Sequence, residues 1–226
     1  MERRDRRFEN RTEAGKLLAA QLSDHQDLTN GLVLALPRGG VPIGFEIASH
    51  LHFPLDVWLV RKLGVPDRPE LAMGAIAASG VKVMNWDVVK WLNISPESIE
   101  QVVAKESLEL QRRENLYRFG QPPPRIAGQL VILVDDGIAT GATMQAAIAS
   151  LRQHQPQRII VAVPVASPSA CEEIQQEVDQ VVCLLPTEFL DSIGRWYEDF
   201  DQTSDQEVRH FLAEAARQFQ VFSASR

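Results

Sequence analysis

The 226-residue sequence predicts an α/β domain: a parallel, Rossmann-like sheet with helices on both faces. Three observations predict it. Short runs that are apolar at every position, such as Leu32–Leu36 and Leu130–Val134, read as strands buried on both faces, because a half-exposed strand would alternate. Between these runs apolar residues recur at helical spacing. The runs end in turns rich in glycine, proline or aspartate, where a parallel sheet passes into its crossover helices.

Composition bounds the answer. With 45% hydrophobic and 23% charged residues, the chain is an ordinary globular one, expected to form one domain with its core over about 30–186. It has no run of eighteen apolar residues, and Met1–Arg7 alternates arginine with acid where a signal peptide would be apolar, so a cytoplasmic protein without membrane partners is expected. A net charge of −7 argues against a nucleic-acid partner, which would need a basic footprint. Cys171 and Cys183 make neither a disulfide framework nor a CxxC metal pair. No internal repeat is present.

The elements follow in order. Asn10 with Glu13 is a capping-box pattern opening a helix with Ala14, Leu17, Leu18 and Leu22 on its apolar face. Leu32–Leu36 is a strand that stops at Pro37-Arg38-Gly39-Gly40, and Ile43, Ile47, Ala48 and Leu51 mark the next helix. Asp56–Lys62 reads as a second strand and Gly64–Pro69 as the start of a loop. Gly74–Met84 reads as a third strand, or a hairpin broken at Ser79-Gly80. Ser95-Pro96 supplies an N-cap and an N1 proline for a long inserted helix reaching about Phe119, with Glu109/Arg113 and Glu114/Arg118 as i,i+4 pairs. Leu130–Val134, Arg158–Val163 and Gln180–Leu185 are further strands, separated by helices around Ala146–Leu151 and after Ser167-Pro168. An acidic, aromatic stretch and a helix capped by Ser204 with Glu207 form a small C-terminal hood over about 187–226.

Chemistry is sought at the strand C-termini. After Leu130–Val134 come Asp135-Asp136-Gly137-Ile138-Ala139-Thr140-Gly141-Ala142-Thr143. The turn Ala139–Thr143 enters a helix, whose free N–H groups and positive dipole end suit a phosphate; Gly141 allows close approach, and Thr140 and Thr143 add hydroxyls. Asp135 and Asp136 would repel a phosphate, and suit sugar hydroxyls or the waters of a metal ion. Phosphate on one side and diol on the other describe a ribose 5-phosphate. Taken separately, Asp-Asp-Gly is a turn and Thr-Gly-Ala-Thr a helix cap. Pro37-Arg38-Gly39-Gly40 pairs anion-binding backbone with a cation whose fork matches phosphate oxygens, or is simply a tight turn with an exposed arginine. Of Arg61 and Lys62, only one can face a given side of a strand. No GxxxxGK[ST], GxGxxG or GxSxG pattern is present, and the five histidines show no ligand spacing.

Residues 131–143 resemble the 5-phosphoribosyl-1-diphosphate signature of type I phosphoribosyltransferases, and the order of elements over about Leu32–Leu185 is similar to that family. The resemblance implies the type I phosphoribosyltransferase fold, Mg²⁺ as cofactor, a homodimer, and transfer of ribose 5-phosphate from phosphoribosyl diphosphate to a nitrogen acceptor. It places the ribose and 5-phosphate on Asp135, Asp136, Gly137, Ala139, Thr140, Gly141, Ala142 and Thr143, with both aspartates on the metal through water. It places the diphosphate on Arg38, Gly39, Gly40 and Lys62, with a cis peptide before Arg38, and makes Gly64–Gly74 a mobile loop; Glu70, its only carboxylate besides Asp67, is a candidate to act on the acceptor, or is simply a solvated loop acid. Hypoxanthine-guanine members carry an aspartate where Ala139 stands, which counts against a 6-oxopurine acceptor. The Ala-Thr-Gly form resembles adenine and uracil enzymes, and the inserted helix resembles bacterial members of unassigned acceptor. Phe189, Trp196 and Tyr197 are candidates for an acceptor pocket, their alternative being to pack on the core. Two other functions remain open: a regulator that binds phosphoribosyl diphosphate without turnover, and a hydrolase of phosphoribosyl compounds.

Overall fold

The computed structural model describes residues 7–23, 31–118, 120–188 and 190–224, without the side chain of Glu70. The readings made at Phe189, Phe119 and the first six residues lie outside the described residues. In chain order the elements are α1 (Arg11–Ser23), β1 (Gly31–Ala35), α2 (Gly40–Leu51), β2 (Leu55–Val57), β3 (Val60–Val65), β4 (Arg68–Ala77), β5 (Lys82–Met84), α3 (Trp86–Trp91) and α4 (Pro96–Arg118). Then follow β6 (Leu130–Val134), α5 (Ala142–Arg152), β7 (Arg158–Ala166), α6 (Pro168–Gln175), β8 (Gln180–Pro186), a 3-10 turn (Ile193–Trp196) and α7 (Asp205–Ala224). They form two compact units, one of residues 1–57, 125–141 and 156–226, the other of residues 58–124 and 142–155.

The first unit holds a five-stranded sheet in the order β2-β1-β6-β7-β8. Every pairing in it is parallel. β1 and β6 are buried at every position, as their unbroken apolar runs require. The core joins Val33, Ile132, Val134, Ile160 and Ala162 of the sheet to Leu18 and Leu22 of α1 and to Ile43 and Ile47 of α2. The chain steps from β1 outward to β2 on one side, and from β6 through β7 to β8 on the other. The strand order therefore reverses between β1 and β6, which is where an open α/β sheet offers its ligand crevice.

In the second unit β3, β4 and β5 form an antiparallel sheet. α4 and α5 pack on it, and Arg61 Nε is 2.7 Å from Glu106 Oε2 of α4. The buried Trp58 donates its indole N–H to Ser150 Oγ of α5 at 3.0 Å.

Local signals fare well in both units. Glu13 N–H donates to Asn10 Oδ1, Ser98 N–H to Ser95 Oγ and Ala170 N–H to Ser167 Oγ. Ser204 and Glu207 bond reciprocally at the start of α7. Glu109 pairs with Arg113 at 2.7 Å and Glu114 with Arg118 at 2.9 Å. Three readings are corrected. Asp56–Lys62 is not one strand: Val57 is the last residue with a partner on β1, which ends at Ala35, so the chain leaves that sheet and joins another at Val60. Gly64–Gly74 is not an open loop, because Pro66-Asp67 makes a tight turn and the flanks pair as β3 and β4. Gly64 is needed there: a Cβ would lie 2.7 Å from the Pro69 carbonyl oxygen. Third, Asn85 caps an unanticipated short helix, α3, by accepting from Val88 N–H. No helix among the described residues is long and apolar enough to cross a membrane.

Ile132 is fully buried in the central strand, so Ile132→Ala should destabilise the protein by about 2–5 kcal/mol, read as a lower denaturant midpoint at unchanged slope.

Candidate active site

The parallel register of β1 on β6, with Ala35 opposite Val134, sends the two following loops out side by side. Leu36 N–H donates to the Val134 carbonyl at 2.8 Å, and the next peptide, Pro37–Arg38, is cis. Only glycine fits where the loops meet. A Cβ on Gly39 would lie 1.9 Å from Asp136 Oδ2, and one on Gly40 2.6 Å from the Val134 carbonyl oxygen. Residues nearly a hundred positions apart are thereby held in van der Waals contact.

Asp136 is fixed from a third direction. Nε and Nη2 of Arg11, the first residue of α1, donate to its Oδ2 at 3.0 and 2.8 Å. The Arg11 side chain is only 11% exposed. Its Nη1 donates to the Asp201 carbonyl at 2.8 Å, and the guanidinium lies 3.8 Å from the centre of the Phe200 ring. Tyr197, 3% exposed, donates its hydroxyl to the Asp136 carbonyl at 2.7 Å. Asp136 N–H in turn donates to Asp135 Oδ1 at 2.8 Å. Burial, and next the neighbouring Asp136, push the Asp135 carboxyl well above the ordinary range. Burial also raises Asp136, against the lowering effect of Arg11.

Beyond the aspartates the chain runs along β7. Ile138 N–H donates to the Val165 carbonyl, and Ser167 N–H to that of Ile138. Ala139 and Thr140 are exposed, and Gly141 has φ +75°, a conformation that favours glycine, just before the start of α5. Arg38 is half-buried, with Nη1 3.7 Å from Asp205 Oδ1 at the start of α7.

The first unit thus brings together Arg38, Gly39, Gly40, Asp135, Asp136, Gly137, Ala139, Thr140 and Gly141. Lys62, Glu70, Ala142 and Thr143 belong to the second unit. There Lys62 and Glu70 stand on paired strands, and Ala142 and Thr143 open α5. Tyr197 supports the aspartate loop from beneath, with its ring buried against Phe8 and Phe200, and the half-buried Trp196 packs on the same cluster. That is the core-packing alternative for Tyr197, because a 3%-exposed ring has no face to offer a base. Arg11 is the residue that sequence reasoning missed. It sits at the first turn of a helix recognised by its cap and its apolar face, and no local signal tells that it reaches a partner 125 positions away. Among the described residues no group of three or more histidines, cysteines or acids is placed to hold a metal ion.

The family model for the phosphoribosyl transferase domain matches residues 8–195, from the strand-like start before α1 to the 3-10 turn. The chain belongs to the phosphoribosyl transferase family. A Mycobacterium tuberculosis (strain H37Rv) protein provisionally named a phosphoribosyl transferase is 43% identical to this one over 212 residues, 94% of the chain and 48% of the relative. The chain therefore spans about half the length of the curated relatives it matches. A uracil phosphoribosyltransferase from Metallosphaera sedula is 28% identical over 158 residues, 64% of the chain and 71% of that enzyme. Among solved structures, TT1426 from Thermus thermophilus superposes on this phosphoribosyl transferase with a TM-score of 0.84 at 39% identity, covering 92% of this chain and 98% of that one.

Because Asp136 is pinned by Arg11, it cannot yield to a larger residue at position 39. Gly39→Ala should lower stability by about 1–3 kcal/mol, visible as a reduced melting temperature, whereas Gly128→Ala, with nothing within 4 Å of its Cβ, should show only the smaller cost of its φ of +72°.

Proposed function

We propose that this phosphoribosyl transferase moves ribose 5-phosphate from 5-phosphoribosyl 1-diphosphate to a nitrogen acceptor, a nucleobase or related heterocycle, releasing diphosphate. The observation that carries the reading is the contact between the Arg38-Gly39-Gly40 turn and the Asp135-Asp136 pair at the point where the strand order reverses. It sets the Arg38 cation and the Gly39 amide against two carboxylates, the pairing that a sugar with an anionic leaving group requires, while the Gly40 amide is taken by the Leu36 carbonyl.

In this reading the carboxylates of Asp135 and Asp136 accept from the ribose hydroxyls and fix the sugar. The turn Ala139–Thr143, contiguous in the chain and exposed at Ala139, Thr140 and Thr143, receives the 5-phosphate on its amides and hydroxyls. Arg38, with the amide of Gly39, takes the negative charge that grows on the departing diphosphate as the C1–O bond breaks. The reaction then rests on positioning and charge stabilisation.

Mg²⁺ fits this donor set as an ion carried mainly by the diphosphate and by water: two adjacent carboxylates, one with an oxygen already held by Arg11, make an outer-sphere site and not a closed cage. Asp135 and Asp136 would hold it through water, and when bound it neutralises charge on the leaving group.

The test is diphosphate release from phosphoribosyl diphosphate and Mg²⁺ with a panel of bases. Release dependent on one base identifies the acceptor, release without any base identifies a hydrolase, and binding without release identifies a sensor. Arg38→Ala and Asp135→Asn should each lower turnover by about 100-fold or more with circular dichroism unchanged. Wild-type rates in both variants would refute the site assignment.

A further inference from the structure

We infer that Arg11 is a positioning residue for the ribose: it holds the Asp136 carboxylate so that a single oxygen, Oδ1, is left to accept from the sugar. The inference rests on the phosphoribosyl reading above. Four observations carry it.

First, the guanidinium does not straddle the carboxylate. Its Nε and Nη2 both donate to Oδ2, and neither donates to Oδ1. Such an arrangement fixes the carboxylate plane and assigns different tasks to its two oxygens.

Second, the arginine is itself immobile. The Asp201 carbonyl takes its third nitrogen at 2.8 Å, and the Phe200 ring covers the guanidinium face at 3.8 Å. An arginine held this way gives up little side-chain freedom when a ligand arrives, so its effect on Asp136 is present beforehand.

Third, the backbone of the same residue is secured independently by the Tyr197 hydroxyl at 2.7 Å. Carboxylate and peptide of Asp136 are thus gripped separately, by α1 and by the segment after the 3-10 turn.

Fourth, Gly39 closes the remaining side, with no space for even a methyl group between its Cα and Oδ2. A carboxylate that served only to balance a buried arginine would need one of these restraints, not four. The restraints come from segments outside the strand-and-loop core of the signature, so the N-terminal helix and the hood contribute to the sugar site through Asp136.

The experiment separates the sugar from the diphosphate. Isothermal titration calorimetry with Mg²⁺ measures ribose 5-phosphate and inorganic diphosphate binding to the whole chain, as wild type, Arg11→Gln and Arg11→Lys. For Arg11→Gln, ribose 5-phosphate should bind about tenfold more weakly while diphosphate affinity stays within about twofold, because the sugar meets Oδ1 directly whereas the diphosphate reaches Asp136 only through Mg²⁺ and water. Arg11→Lys, which keeps the charge and loses the fork, should fall between. Unchanged ribose 5-phosphate binding in Arg11→Gln, or equal losses for both ligands, would overturn the inference, since a purely structural role moves both or neither. If Arg11→Gln does not fold, Phe200→Leu is read in the same way: a selective loss of ribose 5-phosphate affinity supports the positioning role, and unchanged affinity overturns it. A wild-type protein that binds neither ligand refutes the phosphoribosyl reading itself, an outcome distinct from selective failure at Arg11.

Discussion

The site depends on placing two adjacent carboxylates at the end of a strand buried along its whole length. Left alone in such a place, like charges at neighbouring positions repel, and each loses hydration worth several kcal/mol in a low-dielectric setting. The structure answers with partners: the Asp136 amide for Asp135, Arg11 for the Asp136 side chain and Tyr197 for its carbonyl. Those partners must in turn be brought to β6, and this accounts for the way α1 and the hood attach. Phe8 N–H donates to the Trp196 carbonyl and Glu198 N–H to that of Phe8, both at 2.8 Å, tying the chain before α1 to the chain after the 3-10 turn. Phe8, Tyr197 and Phe200 fill the space beneath. The aromatic hood is therefore the apolar support of an ion pair.

The same partners explain how an acidic chain can present an anion site. Glu188, Asp191, Glu198, Asp199, Asp201, Asp205 and Glu207 crowd residues 187–207, where Arg195 is the only basic residue. The Asp201 contact to Arg11 is made by its carbonyl, and Arg195 is taken up locally by Asp191. Of these acids, Asp205 reaches the predicted diphosphate cation. Its 3.7 Å contact with Arg38 joins two side chains each about one-third exposed. Such a pair contributes about 0–1 kcal/mol, so in the proposed reaction a multiply charged diphosphate would displace it at little cost. Arg38 is thus held near its place without being withheld from a ligand.

What could be read from the sequence was whatever is encoded locally. Unbroken apolar runs revealed β1 and β6, caps at Asn10, Ser95, Ser167 and Ser204 marked helix starts, and the composition of residues 135–143 pointed to a sugar phosphate. What failed depended on pairing partners far away. Asp56–Lys62 is apolar enough for one strand, but β1 is too short to pair beyond Val57, and that limit belongs to β1. Gly64–Gly74 carries loop composition, yet a turn at Pro66-Asp67 uses only the tip of it and the flanks find each other. Arg11 and Tyr197 are the same case at the level of side chains. Their sequence neighbourhoods describe a helix start and an aromatic loop, and their task at Asp136 exists only once the chain has folded.

The strand order supplies the last step. With β2-β1-β6-β7-β8 all parallel, β1 and β6 are neighbours whose continuations diverge to opposite edges, so no crossover covers the cleft between their C-terminal ends. The loops at 36–40 and 135–141 must flank that cleft whatever their composition. Glycine at 39 and 40 then determines how closely they approach, and the aspartates determine what they meet. The covalent route adds a constraint. The chain leaves the first unit at Val57 and again at Gly141, in both cases just past the C-terminal end of a parallel strand. Lys62 and Thr143, the residues expected to complete the phosphate contacts, stand within a few positions of those two exits.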